Sequence, residues 1–204
     1  VYNGIDTELF RPLDLSNASG AERLARRLRE ENRPEFRLIS LGTMNANKNQ
    51  KLLIEALAKI VRTVADARAI ITGGSEPAYE HELRQHAAAL GVANRVDIRG
   101  HTEDPTGAFN DADIVVNSSL TETFPLSLLE GMACGKPALV TPTMGGKEIV
   151  RNGIDGFVVS TAEEMAARAL EMHRDRALMR EMGAMGFIAP ELPERVQVVV
   201  QNAG

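Results

Sequence analysis

The sequence predicts an α/β domain built on a doubly wound parallel sheet of about six strands. Three observations carry that prediction. Short apolar runs ending in glycine or a small polar residue alternate with stretches of helical periodicity. The runs are continuously apolar, as strands covered on both faces must be. A chain of 204 residues with 44% hydrophobic content is long enough for one such core.

Phe36 to Gly42 ("FRLISLG") reads as the first strand, and Lys48 to Val64 as the first helix, with Leu52, Leu53, Ala56, Leu57, Ile60, Val61 and Val64 at helical spacing. The unit recurs. Ala67 to Gly73 ("ARAIITG") precedes a helical stretch Tyr79 to Leu90, and Arg95 to Gly100 ("RVDIRG") precedes the shorter Thr102 to Asn110. Asp113 to Ser118 ("DIVVNS") leads into Leu126 to Cys134 and then Pro137 to Thr141. A short helical turn is expected near Gly146 to Val150, and Asp155 to Ser160 ("DGFVVS") reads as the last strand. Thr161 to Met182 reads as one long helix, with Thr161 as N-cap and Glu164 completing a capping box. Residues 11–35 read as a loop and one charged helix, and 184–204 as a tail whose prolines stop any helix.

Composition excludes several classes. Lys plus Arg total 23 against 28 for Asp plus Glu, a formal charge of −5, which argues against a nucleic-acid partner for the domain as a whole. The single cysteine, Cys134, rules out an internal disulfide framework and fits a reducing, cytoplasmic setting. No run approaches the roughly 18 apolar residues that cross a bilayer. The chain opens at Val1 without methionine, so it is expected to be part of a longer protein.

In an open parallel sheet, ligands bind outside the carboxyl ends of the strands. There "TETFPLSLLEGMACGKP" puts Glu122 in a strand-to-helix loop and Glu130 about one turn into the helix, seven residues between them. The intervening helix N-terminus offers unpaired N–H groups that suit a phosphate, and carboxylates suit hydroxyls. A ligand with hydroxyls on both sides of a diphosphate, a nucleotide-sugar, fits that bracket. The alternatives are ordinary: Glu122 as a helix cap, Glu130 as a solvated helix residue, Lys48 as a surface lysine, His101 as a turn residue, and Gly145-Gly146 as a tight turn. Glu148 is expected to cap the short helix, and Cys134 to be a packed residue without chemistry.

The motif resembles the E-x7-E signature of retaining GT-B glycosyltransferases of family 4, the glycosyl transferase group 1 type. Five other segments agree in order: "VYNGIDTELFRP", "SLGTMNANKNQKLLIEAL", "GVANRVDIRGHTED", "NDADIVVNSSLTET" and "GGKEIVRNGIDGFVV". The resemblance runs from residue 1 to about 183. It implies a Rossmann-like domain forming one half of a GT-B fold, with residues 1–35 as interdomain connection and leading helix and 36–183 as the nucleotide-sugar-binding domain.

The resemblance also implies roles. Glu122 would bind donor-sugar hydroxyls and Glu130 the ribose. Backbone around Thr123, Phe124, Pro125 and Leu126 would face sugar and diphosphate, and Gly145-Gly146 would let the backbone approach the sugar. Lys48, behind the Gly42-Thr43 turn, would neutralise the departing diphosphate, and Arg99 to His101 would line the base pocket. Glu122 and Lys48 would be the catalytic pair. No metal or other cofactor is implied, and no His or Cys cluster has ligand spacing. The partners would be a nucleotide-sugar and an N-terminal acceptor domain, which supplies a catalytic-loop histidine and any membrane contact. Alone, the chain would bind without turnover.

Two residues depart from the pattern. Thr43 stands where the family usually has arginine, so Lys51 or Lys147 would have to supply a second cation. Pro125 stands where glycine is usual and has no N–H to donate. Two other readings therefore stay open. One is a non-catalytic nucleotide-sugar-binding module, and the other is a GT-B epimerase or phosphorylase. Surface polysaccharide or glycoconjugate synthesis is the setting the resemblance implies.

Overall fold

The computed structural model describes residues 5–6, 9–12 and 35–187. The expected leading helix and nearly all of the tail therefore lie outside the described residues. Within them, six strands form a single sheet: β1 (Arg37–Leu41), β2 (Arg68–Thr72), β3 (Val96–Arg99), β4 (Ile114–Asn117), β5 (Ala138–Val140) and β6 (Gly156–Val158). All pair in parallel, in the order β3-β2-β1-β4-β5-β6. Seven α-helices accompany them: α1 (Gln50–Ile60), α2 (Pro77–Ala89), α3 (Pro105–Asn110), α4 (Leu126–Ala133), α5 (Met144–Ile149), α6 (Ala162–Arg174) and α7 (Arg176–Phe187).

The continuous apolar strands are explained by their two buried faces. Because successive strand residues point to opposite sides, Leu38, Ala69, Ile71, Ile114, Val116 and Leu139 pack into one core with α1, α2 and α6. Ile39, Ile70, Val115, Ala138 and Val140 pack into the other with α4 and Phe109 of α3. Leu53, Leu57 and Ile60 of α1 are fully buried, as their spacing predicts, and so is Ile54. Burying a side chain of this size stabilises by about 1.5–3 kcal/mol.

The predicted long helix from Thr161 to Met182 is two helices. Asp175 leaves the α region (φ −107°, ψ 86°), and its Oδ1 accepts from the N–H groups of Ala177 at 3.1 Å and Leu178 at 2.9 Å. An aspartate that caps a new helix competes with continuation of the old one. Helix α7 then runs to Phe187, beyond the predicted end. Thr161 does cap α6, its Oγ1 accepting from the Glu164 N–H at 3.2 Å. Glu164 reaches back one residue further than a capping box requires, to the N–H of Ser160 at 2.6 Å.

The chain moves outward from β1 to β3, crosses back, and moves outward again from β4 to β6. The reversal makes β1 and β4 neighbours whose following helices lie on opposite faces of the sheet, and the carboxyl-end crevice at such a point is where doubly wound sheets hold ligands.

Candidate functional site at the sheet reversal

Two loops build the site. The first, residues 42–49, leaves β1 through Gly42 (φ 150°). Its neighbour Gly73 ends β2, where a Cβ would lie 2.1 Å from the Gly42 carbonyl oxygen, so only glycine allows the two strand ends this approach. The loop then turns on Asn45, which accepts the Lys48 N–H at Oδ1 (3.0 Å). It closes at Asn49, the sole non-glycine residue at positive φ (47°) among the described residues, a conformation asparagine tolerates. Gln50 lies buried beneath, donating from Nε2 to the Thr43 carbonyl at 3.2 Å.

The second loop, residues 118–125, follows β4 and is laced to the first. Ser118 Oγ donates to the Lys48 carbonyl at 2.8 Å, and the Leu120 N–H donates to the Asn47 carbonyl at 2.7 Å. The Asn47 side chain donates to the Thr121 carbonyl at 3.0 Å and accepts from the Thr121 N–H at 3.1 Å and hydroxyl at 2.7 Å. One residue further along each loop, Lys48 Nζ and Glu122 Oε2 form an ion pair, 28% and 16% exposed. The two predicted catalytic residues are thus in direct contact across 74 residues of sequence.

Helix α5 braces the second loop from behind. The Gly145 N–H donates to the Glu122 carbonyl at 2.9 Å, and a Cβ on Gly145 would meet the Thr123 carbonyl oxygen at 2.5 Å and Pro125 Cδ at 2.7 Å. Gly145 is thus needed for close packing against the loop that carries Glu122. The cap of α5 is Thr143, whose Oγ1 accepts the Gly146 N–H at 3.1 Å. Glu148, the expected cap, lies in the second half of that helix.

Pro125 occupies the N-cap of α4. Its carbonyl accepts from Leu128 and Leu129, while the N–H groups of Thr123, Leu126 and Ser127 make no hydrogen bond to protein among the described residues. These free donors lie beside Glu122, at the positive end of the helix. Glu130, in the second turn of α4, is half-buried, and its carboxylate has no partner among the described residues. Burial alone raises its pKa.

The other predicted residues are spread around this centre. Thr43 is exposed in the first loop, Phe124 is half-buried against the second core, and Leu126 is exposed on α4. Arg99 ends β3, exposed, with its guanidinium on Asp97 (2.8 and 2.5 Å), which raises its pKa despite partial desolvation. His101 is exposed in the following loop. The substitute cations fare differently from expectation. Lys51 bonds Glu82 of α2 at 2.8 Å and lies 5.6 Å from the Tyr79 ring centre, so it is committed to a neighbouring helix. Lys147 is exposed on α5, roughly 200° around the helix from the Gly145 face that meets the Thr123 loop. Neither residue is presented to the Glu122 loop, which leaves Lys48 as the cation in contact with it.

Asn47 was not singled out as a working residue by sequence reasoning, since its partner lies 74 residues away and no local pattern marks such a contact. Gly145 was singled out for a tight turn or a backbone approach to the sugar, and the structure shows it packed against the Thr123 loop. Cys134 is buried, and burial pushes its thiol up to about 11, in keeping with a packing role. Among the described residues no group of three His, Cys, Asp or Glu side chains could hold a metal ion, and no helix is long and apolar enough to cross a membrane.

Comparison with known proteins agrees with this geometry. The model of the family Glycosyl transferases group 1 matches residues 35–175. EpsD of Bacillus subtilis is 35% identical over 188 residues, covering 90% of this chain and 47% of EpsD. D-inositol 3-phosphate glycosyltransferase of Mycobacterium marinum is 32% identical over 167 residues, covering 78% of this chain and 33% of that enzyme. The chain therefore spans between a third and a half of these relatives. Anabaena HepE, in its complex with UDP-glucose, superposes with a TM-score of 0.79 at 27% identity, covering 98% of this chain and 53% of HepE. The C-terminal domain of the group 1 protein LpcC from Francisella tularensis shares the fold, with a TM-score of 0.73 at 22% identity over 90% of this chain and 95% of that domain. A parallel six-stranded sheet of GT-B type, matched by the family across both loops of its reversal point, makes this chain a member of the glycosyl transferases of group 1.

Proposed function

We propose that this chain is the donor-binding half of a retaining glycosyltransferase, taking a nucleoside-diphosphate sugar at the reversal between β1 and β4. The observation that carries the proposal is the Lys48–Glu122 ion pair set beside the free N–H groups that open α4. A cation, a hydroxyl acceptor and amide donors are the set that a sugar diphosphate requires, which supports this reading. HepE, crystallised with UDP and with UDP-glucose, makes a UDP-sugar the first donor to test.

In this reading the anomeric C–O bond breaks with its electron pair leaving on the nucleoside diphosphate, and Lys48 stabilises the developing negative charge. An acceptor hydroxyl bonds to the anomeric carbon from the same face, and its proton passes to a departing phosphate oxygen. Glu122 orients the sugar through its hydroxyls, the amides of Thr123 and Leu126 face the diphosphate, Glu130 takes the ribose hydroxyls, and Arg99 and His101 flank the base. Pro125 contributes shape without a donor. The acceptor is read by a further domain, in keeping with the share of its relatives that this chain spans, and surface glycan assembly is the proposed setting.

With Thr43 in the first loop and Lys51 turned to Glu82, one lysine faces the Glu122 loop, which also favours a second reading as a nucleotide-sugar-binding module without catalysis. Titration of UDP, GDP and ADP, then the matching nucleotide-sugars, followed by amide NMR tests the donor site. Shifts at Lys48, His101 and 124–130 that vanish in Glu130→Ala support it, and their absence for every ligand overturns it. Transfer by the chain joined to an acceptor domain distinguishes enzyme from module.

A further inference from the structure

The two loops meet in strict register. Asn47 faces Thr121, and Lys48 faces Glu122. Lys48 is held by its own loop, through its N–H on Asn45, and by Ser118 through its carbonyl. Glu122 is anchored at its carbonyl by the Gly145 N–H, and the residue before it, Thr121, bonds across the crevice to the Asn47 side chain. Beside the Ser118–Lys48 and Leu120–Asn47 bonds, the three-bond contact between the Asn47 side chain and Thr121 is the side-chain tie that sits next to the carboxylate and the lysine in both loops. An amide is the group that does this, because it donates to the Thr121 carbonyl while accepting from the N–H and hydroxyl of the same residue.

We infer that Asn47 is a positioning residue that holds Glu122 at the sugar side of the site and so sets the preference for nucleotide-sugar over free nucleoside diphosphate. The inference rests on the donor-binding reading of Glu122 and Lys48. Free nucleoside diphosphate needs the lysine and the α4 amides, none of which Asn47 holds through its side chain. The sugar needs the carboxylate placed to within hydrogen-bond tolerance, and a carboxylate swinging free of its clamp loses that contact first. Asn47 itself touches no ligand in this scheme: its side-chain oxygen accepts twice from Thr121, and one of its two amide hydrogens goes to the Thr121 carbonyl.

The test compares wild type with Asn47→Ala, Thr121→Val and Thr121→Ser, using UDP-glucose against UDP, or the equivalent pair for whichever of UDP, GDP and ADP the wild type binds. Asn47→Ala is expected to lower the ratio of sugar-nucleotide to nucleotide affinity by about fivefold, the worth of about one net hydrogen bond. Nucleotide affinity itself stays within about twofold. Thr121→Val lowers the ratio by about twofold, and Thr121→Ser, which keeps the hydroxyl, restores it. Without ligand, amide exchange at Gly145, whose acceptor is the Glu122 carbonyl, quickens in Asn47→Ala along with that at Thr121.

A residue that merely supports the fold would lower both affinities together. Intact nucleotide binding with an unchanged ratio overturns the clamp and leaves the donor site standing, as does faster exchange confined to Thr121. Failure of the wild type to bind any of these ligands overturns the donor reading and the clamp's role with it. If Asn47→Ala does not fold, the Thr121 pair decides the question.

Discussion

Replacing Gly145 with alanine probes how tightly the Glu122 loop is braced. The added Cβ would sit 2.5 Å from the Thr123 carbonyl oxygen, 2.7 Å from its carbon and 2.7 Å from Pro125 Cδ. All three atoms belong to backbone or a rigid ring, so no rotamer change relieves the contact. Either α5 or the loop must move by a good fraction of an ångström. Overpacking of this kind costs about 1–3 kcal/mol, offset by about 0.5–1 kcal/mol that alanine gains over glycine within a helix. A net loss of about 1–2 kcal/mol lowers Tm by roughly 2–8 °C in a chain of this size. The same shift carries Glu122 with it, because the Gly145 N–H holds the Glu122 carbonyl. Thermal denaturation with UDP-glucose titration on the same samples reads both effects. Gly74→Ala is the control, since nothing lies within 4 Å of a Cβ there. Gly145→Ala with wild-type Tm and affinity would refute the bracing argument.

Burial raises the Glu130 carboxyl above its ordinary 4.5, so the folded chain holds that proton more tightly than the unfolded chain. The stability from this group is complete below the unfolded value and is lost as pH rises through the folded one. Glu130→Gln is therefore more stable than wild type in urea at about pH 7, with the difference closing by about pH 4; equal midpoints at neutral pH would contradict it. Asp175→Ala removes the cap of α7 and costs about 0.5–2 kcal/mol in urea denaturation. No loss would mean that packing alone starts that helix. The Cys134 thiol, buried and pushed up to about 11, stays unreactive to a disulfide reagent at about pH 8 until the chain unfolds. Rapid labelling of the native protein would show that its cover opens.

The sheet was legible because its signal is local. Most strands are apolar runs closed by a small residue, and all six lie inside the predicted runs, each ending within a residue or two of the predicted bounds. The break at Asp175 was legible in principle. The apolar sequence Met165, Ala166, Ala169, Met172 should continue at 175 or 176, where Asp175 and Arg176 stand instead. The cap of α5 lay in Thr143, three residues ahead of Gly146, a signal outweighed by the acid at 148. Glu122 and Lys48 were named from the motif, but their contact was not, because it depends on the strand order that makes β1 and β4 neighbours. Lys51 illustrates the converse. Periodicity places it near the start of α1, yet its direction is decided by Glu82 on another helix.

The same strand order shapes how the chain is made. Helix α6, which covers α1 and pairs Glu163 with Lys59 at 2.6 Å, leaves the ribosome more than a hundred residues after the helix it shelters. At about 5–20 residues per second, β1 waits on the order of ten seconds with its β4 edge open and one side of α1 bare. A nascent chain stopped near residue 110 would hold half a sheet with a sticky margin and half a crevice. Ribosomal pausing or chaperone capture in that window would shield the open edge until β4 arrives.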